Sequence, residues 1–312
     1  MRVPFRGVRV REALLLEGPA GWGEFSPFTE YDDAEAARWL AAAVEAAWQG
    51  WPPPVRDVVP VNATVPAVAP ADVAAVLAGF PGCTTAKVKV AEAGQVLADD
   101  VDRVAAVREC LGRSGRVRVD ANGAWSVPQA VEALSALAPY DLEYAEQPCS
   151  TVPELAELRL ALARRGLDVL VAADESVRKA SDPERVALAG AADLVVVKVA
   201  PLAGVRRALA VAEGCGLPVV VSSALDTSVG LAAGVALAAA LPELSHACGL
   251  GTTALLACDV SSPRLVPVDG VLRPRAVAPD PDLLTELAAA EHRRDWWHDR
   301  LRRCAGLLTE DA

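Results

Sequence analysis

The sequence predicts an α/β protein: a closed (β/α)7β barrel of modified TIM type, with a smaller α+β capping domain formed by the N-terminal segment and the C-terminal tail. Three observations predict it. From about Val59 onward, short valine-rich runs alternate with stretches rich in Ala and Leu. The polar ends of those runs recur 24 to 31 residues apart, the length of chain that one strand, one helix and two loops require. Eight such runs in series close a parallel barrel, whose functional residues stand at the C-terminal strand ends. The segment before Pro52-Pro53-Pro54 and the tail after residue 268 break the rhythm, and together they supply the cap.

Taken in order, residues 2–17 read as strand material, 18–23 as a turn and 33–48 as a helix. The triple proline interrupts regular structure and marks the border, so that residues 1–58 and 268–312 make the cap and 59–267 the barrel. The strand runs are 59–65, 85–90, 117–122, 142–147, 169–175, 194–199, 219–223 and 246–252. Between them, 95–111 reads as a helix with charged and apolar residues on different faces, 128–138 as one opening on Ser126 as N-cap, and 205–213 as a third. The Ala-rich stretch 229–241 is too short to span a membrane and reads as a buried helix. The last link is irregular, because 261–267 carries no periodicity. The tail 282–308 is helical and charged; around Trp296 and Trp297 it closes the cap as an amphipathic helix or, alternatively, offers an interaction surface.

A chain of 312 residues buries an ample core, and its richness in Ala, Val and Leu suits helices packed on a parallel sheet. The net charge of −11 argues against nucleic acid and against an anionic membrane surface as partners. The N-terminus shows no apolar leader, and the seven cysteines form no CxxC and no Cys/His metal spacing. These features predict a cytoplasmic protein with reduced thiols, a monomer or a small homo-oligomer. Cys149, close to an acidic motif, reads as a small buried hydrophobe.

Against twenty-six arginines stand four lysines. Lys87 and Lys89 lie in Thr85-Ala86-Lys87-Val88-Lys89-Val90, and Lys198 ends Val195-Val196-Val197-Lys198; Lys179 has no such setting. Arginine keeps its proton in a protein whereas a desolvated lysine can release it, so a proton-transfer role calls for the amine. Residues two apart on a strand share a face, which turns Lys87 and Lys89 together into the barrel. Three carboxylates, Asp120, Glu146 and Asp174, end the next three strands. Neighbouring strands lie about 4.8 Å apart, so these side chains can converge on one point. Three anions so placed need a cation, and hard oxygen donors without His or Cys select Mg²⁺, with Mn²⁺ as a substitute. Lys198 follows on the next strand, facing Lys89 across that point. The set suits removal of a proton α to a carboxylate, where a cation and an ammonium stabilise the enediolate and a neutral amine acts as base.

The motifs Lys87-Val88-Lys89, Val119-Asp120-Ala121-Asn122, Ala145-Glu146-Gln147-Pro148, Ala173-Asp174-Glu175-Ser176 and Val196-Val197-Lys198 resemble the muconate-lactonizing subgroup of the enolase superfamily. The resemblance runs from Gly21-Trp22-Gly23-Glu24 to Gly249-Leu250-Gly251-Thr252. More narrowly, the short chain, the cap motif and the segment 222–230 resemble the o-succinylbenzoate synthase family of menaquinone biosynthesis. That resemblance implies Lys89 as the acid/base, Lys87 as its electrostatic partner, and Lys198 as the group stabilising the enediolate from the opposite face. It implies Asp120, Glu146 and Asp174 as Mg²⁺ ligands, supported by Asn122 and Glu175. It further implies that Ser222 and Gly249 hold a substrate carboxylate through backbone amides, with Ser223 beside them, and that Glu24, Ser26 and Tyr31 lie in a loop covering the site. The implied reaction is a syn dehydration of a small dianionic succinyl-hydroxycyclohexadiene carboxylate, with one base serving both proton steps.

Racemisation of an N-succinylamino acid uses the same paired lysines and stays open, as does a muconate cycloisomerase. A dipeptide epimerase of this group would carry Asp-x-Asp where this chain has Gly249-Leu250-Gly251-Thr252-Thr253. A Schiff base on Lys198 would be a different chemistry, which the row of carboxylates disfavours, and a metal-binding scaffold leaves the interior lysines unexplained. Against a Ser-His-Asp hydrolase, no serine of this chain lies in a GxSxG turn, and His246 is the one histidine ahead of the tail.

Overall fold

The computed structural model describes residues 1–178 and 190–310; Lys179 lies outside them. The chain opens not with a long strand but with a tight turn. Phe5 and Val8 exchange backbone hydrogen bonds of 3.1 and 2.9 Å, and Arg6 and Gly7 between them take φ of 49° and 77°, the signature of a two-residue hairpin turn. Residues 2–13 therefore do not form the expected strand; only β1 (Leu14–Gly18) does, paired antiparallel with β2 (Gly21–Phe25). This hairpin lies flat on helix α1 (Asp33–Val44). A Cβ on Gly23 would fall 2.0 Å from the Ala43 carbonyl oxygen, so the close approach requires glycine. Asp32 caps α1 by accepting from the Glu35 amide at 2.8 Å, and a π-helical turn at Glu45–Gln49 extends it.

The barrel follows. Strands β4 (Ala63–Val65), β5 (Thr85–Lys89), β6 (Arg116–Asp120), β7 (Leu142–Glu146), β8 (Val171–Ala173), β9 (Leu194–Val197) and β10 (Val219–Val221) form one parallel sheet in sequential order. Helices α2 (Val73–Leu77), α3 (Leu97–Leu111), α4 (Val127–Leu137), α5 (Val152–Arg164), α6 (Glu175–Arg178), α7 (Val205–Cys215) and α8 (Ser228–Ala240) alternate with them. Ser126 caps α4 with a capping box that includes Gln129, as its sequence predicts. Helix α8 is almost wholly buried.

Two strand expectations are revised. The first run splits: β3 (Val59–Pro60) pairs with β11 (Val271–Leu272) outside the barrel, and only β4 joins the sheet. The eighth run shrinks to two bridges, Val61 to Cys248 and Ser222 to Gly249, which nonetheless close the sheet between its first and last strands. Glycine permits that closure, since a Cβ on Gly249 would lie 2.5 Å from Ser222 Oγ, and a 3₁₀ turn at Thr252–Leu255 then ends it.

Inside the barrel, Tyr144, Ala172, Leu194, Val196 and Val220 form an apolar cluster of their own. Beside it the buried Arg118 donates to Asn62 Oδ1 at 3.1 Å and the Ala247 carbonyl at 2.6 Å and pairs with Glu143. Glu143 reaches Arg118 because the β6–β7 register slips between Val117 and Arg118. The larger core lies between strands and helices.

The cap is completed by α9 (Pro281–Glu286) and α10 (Glu291–Glu310). Phe25, Trp39, Leu40 and the alanines of α1 bury against Trp297 and Cys304 of α10, and Glu12 joins the two ends of the chain by accepting from Arg293 and, at 3.1 Å, from Trp297 Nε1. Two cap carboxylates hold barrel helices by their N-termini. Glu24 accepts from the amides of Thr227 and Gly230 at 3.2 and 2.9 Å ahead of α8. Glu45 accepts from the amides of Val205 and Arg206 at α7, where Gly204 leaves room that any Cβ would fill. No described helix is long and apolar enough to cross a membrane.

Candidate active site

Parallel pairing sets Lys89 of β5 beside Asp120 of β6, and Asp120 beside Glu146 of β7. Asp174 follows β8 and Lys198 follows β9 at the same end of the barrel. Most of these groups are withdrawn from water: Asp120 is 0 % exposed, Glu146 and Asp174 1 %, and Lys87 and Lys89 5 %, while Lys198 is partly buried. Lys87 Nζ donates to Glu146 Oε1 at 2.6 Å and stands 3.3 Å from Asp120 Oδ2. Lys89 Nζ pairs with Asp120 Oδ2 and donates to Asn122 Oδ1 at 2.8 Å. Lys198 pairs with Asp174 Oδ2. Lys89 and Lys198 thus stand on opposite walls, separated by the three acidic strands.

The two lysines of β5 are driven in opposite directions. Burial depresses Lys87, but the carboxylates of Glu146 and Asp120 outweigh it and hold the amine protonated well above its ordinary range. Burial also depresses Lys89; Asp120 opposes it, the Lys87 ammonium adds to it, and the net result lies below the ordinary 10.5. Burial and the Asp120 charge push the Glu146 carboxyl up to about 7.

Without a cation the three carboxylates each lie against a lysine. Among the described residues no three Asp, Glu, His or Cys side chains stand grouped as a formed metal centre. Carboxylates repel one another, and each has turned to an ammonium instead. The donor set still fits a hard divalent cation: it is all oxygen and anionic, and the buried Glu146 Oε2 has no hydrogen-bond partner. Asn122 and Glu175 are linked, with Asn122 Nδ2 donating to Glu175 Oε1 at 3.1 Å, while the Asn122 amide donates to Asp120 Oδ1 at 3.0 Å.

A cavity of about 260 Å³ opens over the lysines. Ser222, Ser223 and Gly249 line it, but not as expected. The Ser222 amide donates to the Val197 carbonyl at 2.9 Å and the Gly249 amide to that of Val221 at 2.8 Å, so barrel closure consumes the two N–H groups meant for a carboxylate. What faces the cavity from this wall is hydroxyl: Ser223 Oγ lies 2.7 Å from Thr252 Oγ1 and donates to Gly249 O at 3.0 Å. From the cap, Tyr31 lines the cavity together with Phe28, Glu30 and Trp39. Glu24 and Ser26 are buried behind it, bonded to each other at 2.7 Å.

Sequence reading missed three contributors. Phe5 and Arg6 reach the cavity from the N-terminal turn, and an arginine ahead of glycine carries no motif that announces this. Gln147 is fully buried with φ of 37°. Its Oε1 accepts from the Asp174 amide at 2.9 Å and the Ser176 amide at 3.2 Å, and its Nε2 donates to Cys149 O and Ser176 Oγ. Its place between Glu146 and Pro148 was the available signal.

Comparison with known proteins identifies the family. Residues 70–280 match the family described as enolase C-terminal domain-like, and residues 1–47 the one described as enolase N-terminal domain-like. The o-succinylbenzoate synthase of Mycobacterium ulcerans is 59% identical over 310 residues, covering 99% of this chain and 92% of that one. That of Mycolicibacterium smegmatis is 59% identical over 309 residues, covering 99% and 94%. Among solved structures, the muconate lactonizing enzyme from Pseudomonas putida superposes with a TM-score of 0.72 at 19% identity, covering 90% of this chain and 99% of that one. The N-succinyl Arg/Lys racemase from Bacillus cereus gives 0.70 at 18%, covering 86% and 87%; these two show likeness of fold.

Proposed function

The chain belongs to the o-succinylbenzoate synthase family of the enolase superfamily, whose members are hydro-lyases, and from that membership we propose how its residues divide the work. The substrate is 2-succinyl-6-hydroxy-2,4-cyclohexadiene-1-carboxylate and the product 2-succinylbenzoate, within menaquinone biosynthesis. The observation that carries the reading is the pair of lysines on opposite walls, Lys89 buried and Lys198 partly so, with three buried carboxylates between them.

Lys89 is the base. Burial and the neighbouring Lys87 ammonium loosen its proton; as the free amine it takes the proton from the ring carbon bearing the carboxylate, and the C–H electron pair moves into an enediolate. Lys87 remains charged beside Glu146 and offsets the growing negative charge. Lys198 does the same from the opposite wall. The enediolate pair then forms the ring double bond, the C6–O bond breaks, and Lys89 returns its proton to the leaving hydroxide on the same face, giving water and an aromatic ring. Asp120, Glu146 and Asp174 would hold Mg²⁺, whose charge favours the doubly anionic carboxylate. Asn122 steadies Lys89, and the hydroxyls of Ser222 and Ser223 face the succinyl arm. The seven thiols are free, which supports a reducing, cytoplasmic setting.

Ultraviolet-monitored turnover of this substrate tests the reading. The wild type is expected to be active with Mg²⁺ and silent in EDTA, and Lys89→Ala to lose roughly 10³-fold or more in kcat. A folded, Mg²⁺-binding wild type that leaves the substrate untouched would overturn it.

A further inference from the structure

Arg6 is a charged residue of the cavity that the reaction above does not use. It sits in a turn whose left-handed φ of 49° is costly for a side chain other than Gly, Asn or Asp. The turn tip is therefore held where it is by its contacts. The guanidinium Nε donates to Asn122 Oδ1 at 2.8 Å, the same oxygen that accepts from Lys89 Nζ at 2.8 Å. One Nη reaches the carbonyls of Val90 at 2.9 Å and Asp120 at 3.3 Å; the other lies 3.4 Å from the Ala91 carbonyl and from Glu92 Oε2. The neighbouring Phe5 ring covers the Lys89 ammonium at 5.1 Å.

Two roles are open to a cation at this place, and the contacts decide between them. A residue that binds a substrate carboxylate must offer it a donor, yet each nitrogen of Arg6 already faces a protein acceptor. The planar fork spans the ends of β5 and β6 and fixes Asn122, which in turn meets Lys89, Glu175 and Asp120. We propose that Arg6 is a positioning residue: it locks Asn122 and the two strand ends so that Lys89 is aimed at the substrate and Asp120 is set for its metal. A shift of about 1 Å at a reacting group is enough to cost up to 10²-fold in rate. Arginine is required because lysine cannot make the fork. The inference rests on the reaction proposed above for its kinetic readout alone.

The experiment is a double-mutant cycle of Arg6→Ala and Asn122→Ala, with Arg6→Lys alongside, read in kcat, KM and, by calorimetry, Mg²⁺ affinity. Arg6→Ala is expected to lower kcat about tenfold or more with KM within about twofold, Arg6→Lys to behave like Arg6→Ala, and the double variant to be no worse than Asn122→Ala alone, because the two residues act as one unit. Mg²⁺ affinity is expected to weaken with the same non-additivity. A raised KM at unchanged kcat would make Arg6 a substrate ligand and overturn the proposal; so would full activity in Arg6→Lys, or additive losses. If the wild type fails to turn over the substrate, the assigned reaction falls, and the Mg²⁺ affinities of the four proteins still decide for or against the coupling.

Discussion

Lys87 and Lys89 differ in chemistry because of what each meets, not because of what each is. Two carboxylates keep the first charged, while burial and the first lysine's own charge loosen the proton of the second. The same logic gives a pH prediction lower in the barrel. Burial acts against ionised Glu143, but hydrogen bonds and charge from His246 and Arg118 prevail, and its pKa falls well below the ordinary 4.5. A depressed carboxyl contributes stability that is present above the unfolded value near 4.5 and lost as pH falls through the lower folded value. Glu143→Gln, which strands the buried Arg118, is expected to cost about 3 kcal/mol at pH 7. That gap should narrow steadily below about pH 4.5 in urea titrations; a gap independent of pH would refute the pairing. Lysines and carboxylates at strand ends were legible from sequence, because valine neighbours leave a charged residue no ordinary reason to be there. The fate of the Ser222 and Gly249 amides was not, because their hydrogen bonds depend on how the barrel closes.

At the scale of elements, the cap is joined to the barrel by side chains that finish barrel helices. Glu24 satisfies amides at the start of α8, and Glu45 does so for α7. Both helices follow strands that end in the site, so these bonds tie the cap to the strand ends. Glu24→Ala is expected to lower stability by about 1–2 kcal/mol and to raise KM, as Phe28 and Tyr31 lose their anchorage over the cavity. Thermal melts and steady-state kinetics check this; a loss of stability with KM unchanged would confine Glu24 to capping. The periodic run of strands and helices made the barrel readable. The N-terminal segment misled, because alternating Val and Arg in residues 8–11 imitates a strand, whereas the paired positive φ at Arg6 and Gly7 leaves only a weak trace in sequence.

For the whole molecule, a net charge of −11 surrounds a site meant for a dianion, so the attraction has to be local, from three lysines and a divalent cation. Asp120, Glu146 and Asp174 are proposed to hold that cation, and a ligand that binds only the folded state stabilises it by mass action. At about 100 times its dissociation constant, Mg²⁺ is expected to add about 2.7 kcal/mol and raise Tm by several degrees, with the rise abolished by EDTA and in Asp174→Asn. An Asp174→Asn protein that still gains the full shift would remove Asp174 from the metal site. The clasp of Glu12 to Arg293 and Trp297 carries one more consequence. The cover over the lysines leans on α10, whose Arg300 donates to the carbonyls of Phe28 and Tyr31 and which follows the whole barrel along the chain. A barrel formed before α10 docks would leave its reactive amines without their full cover, so the contact of Glu12 with that helix completes the site as well as the cap.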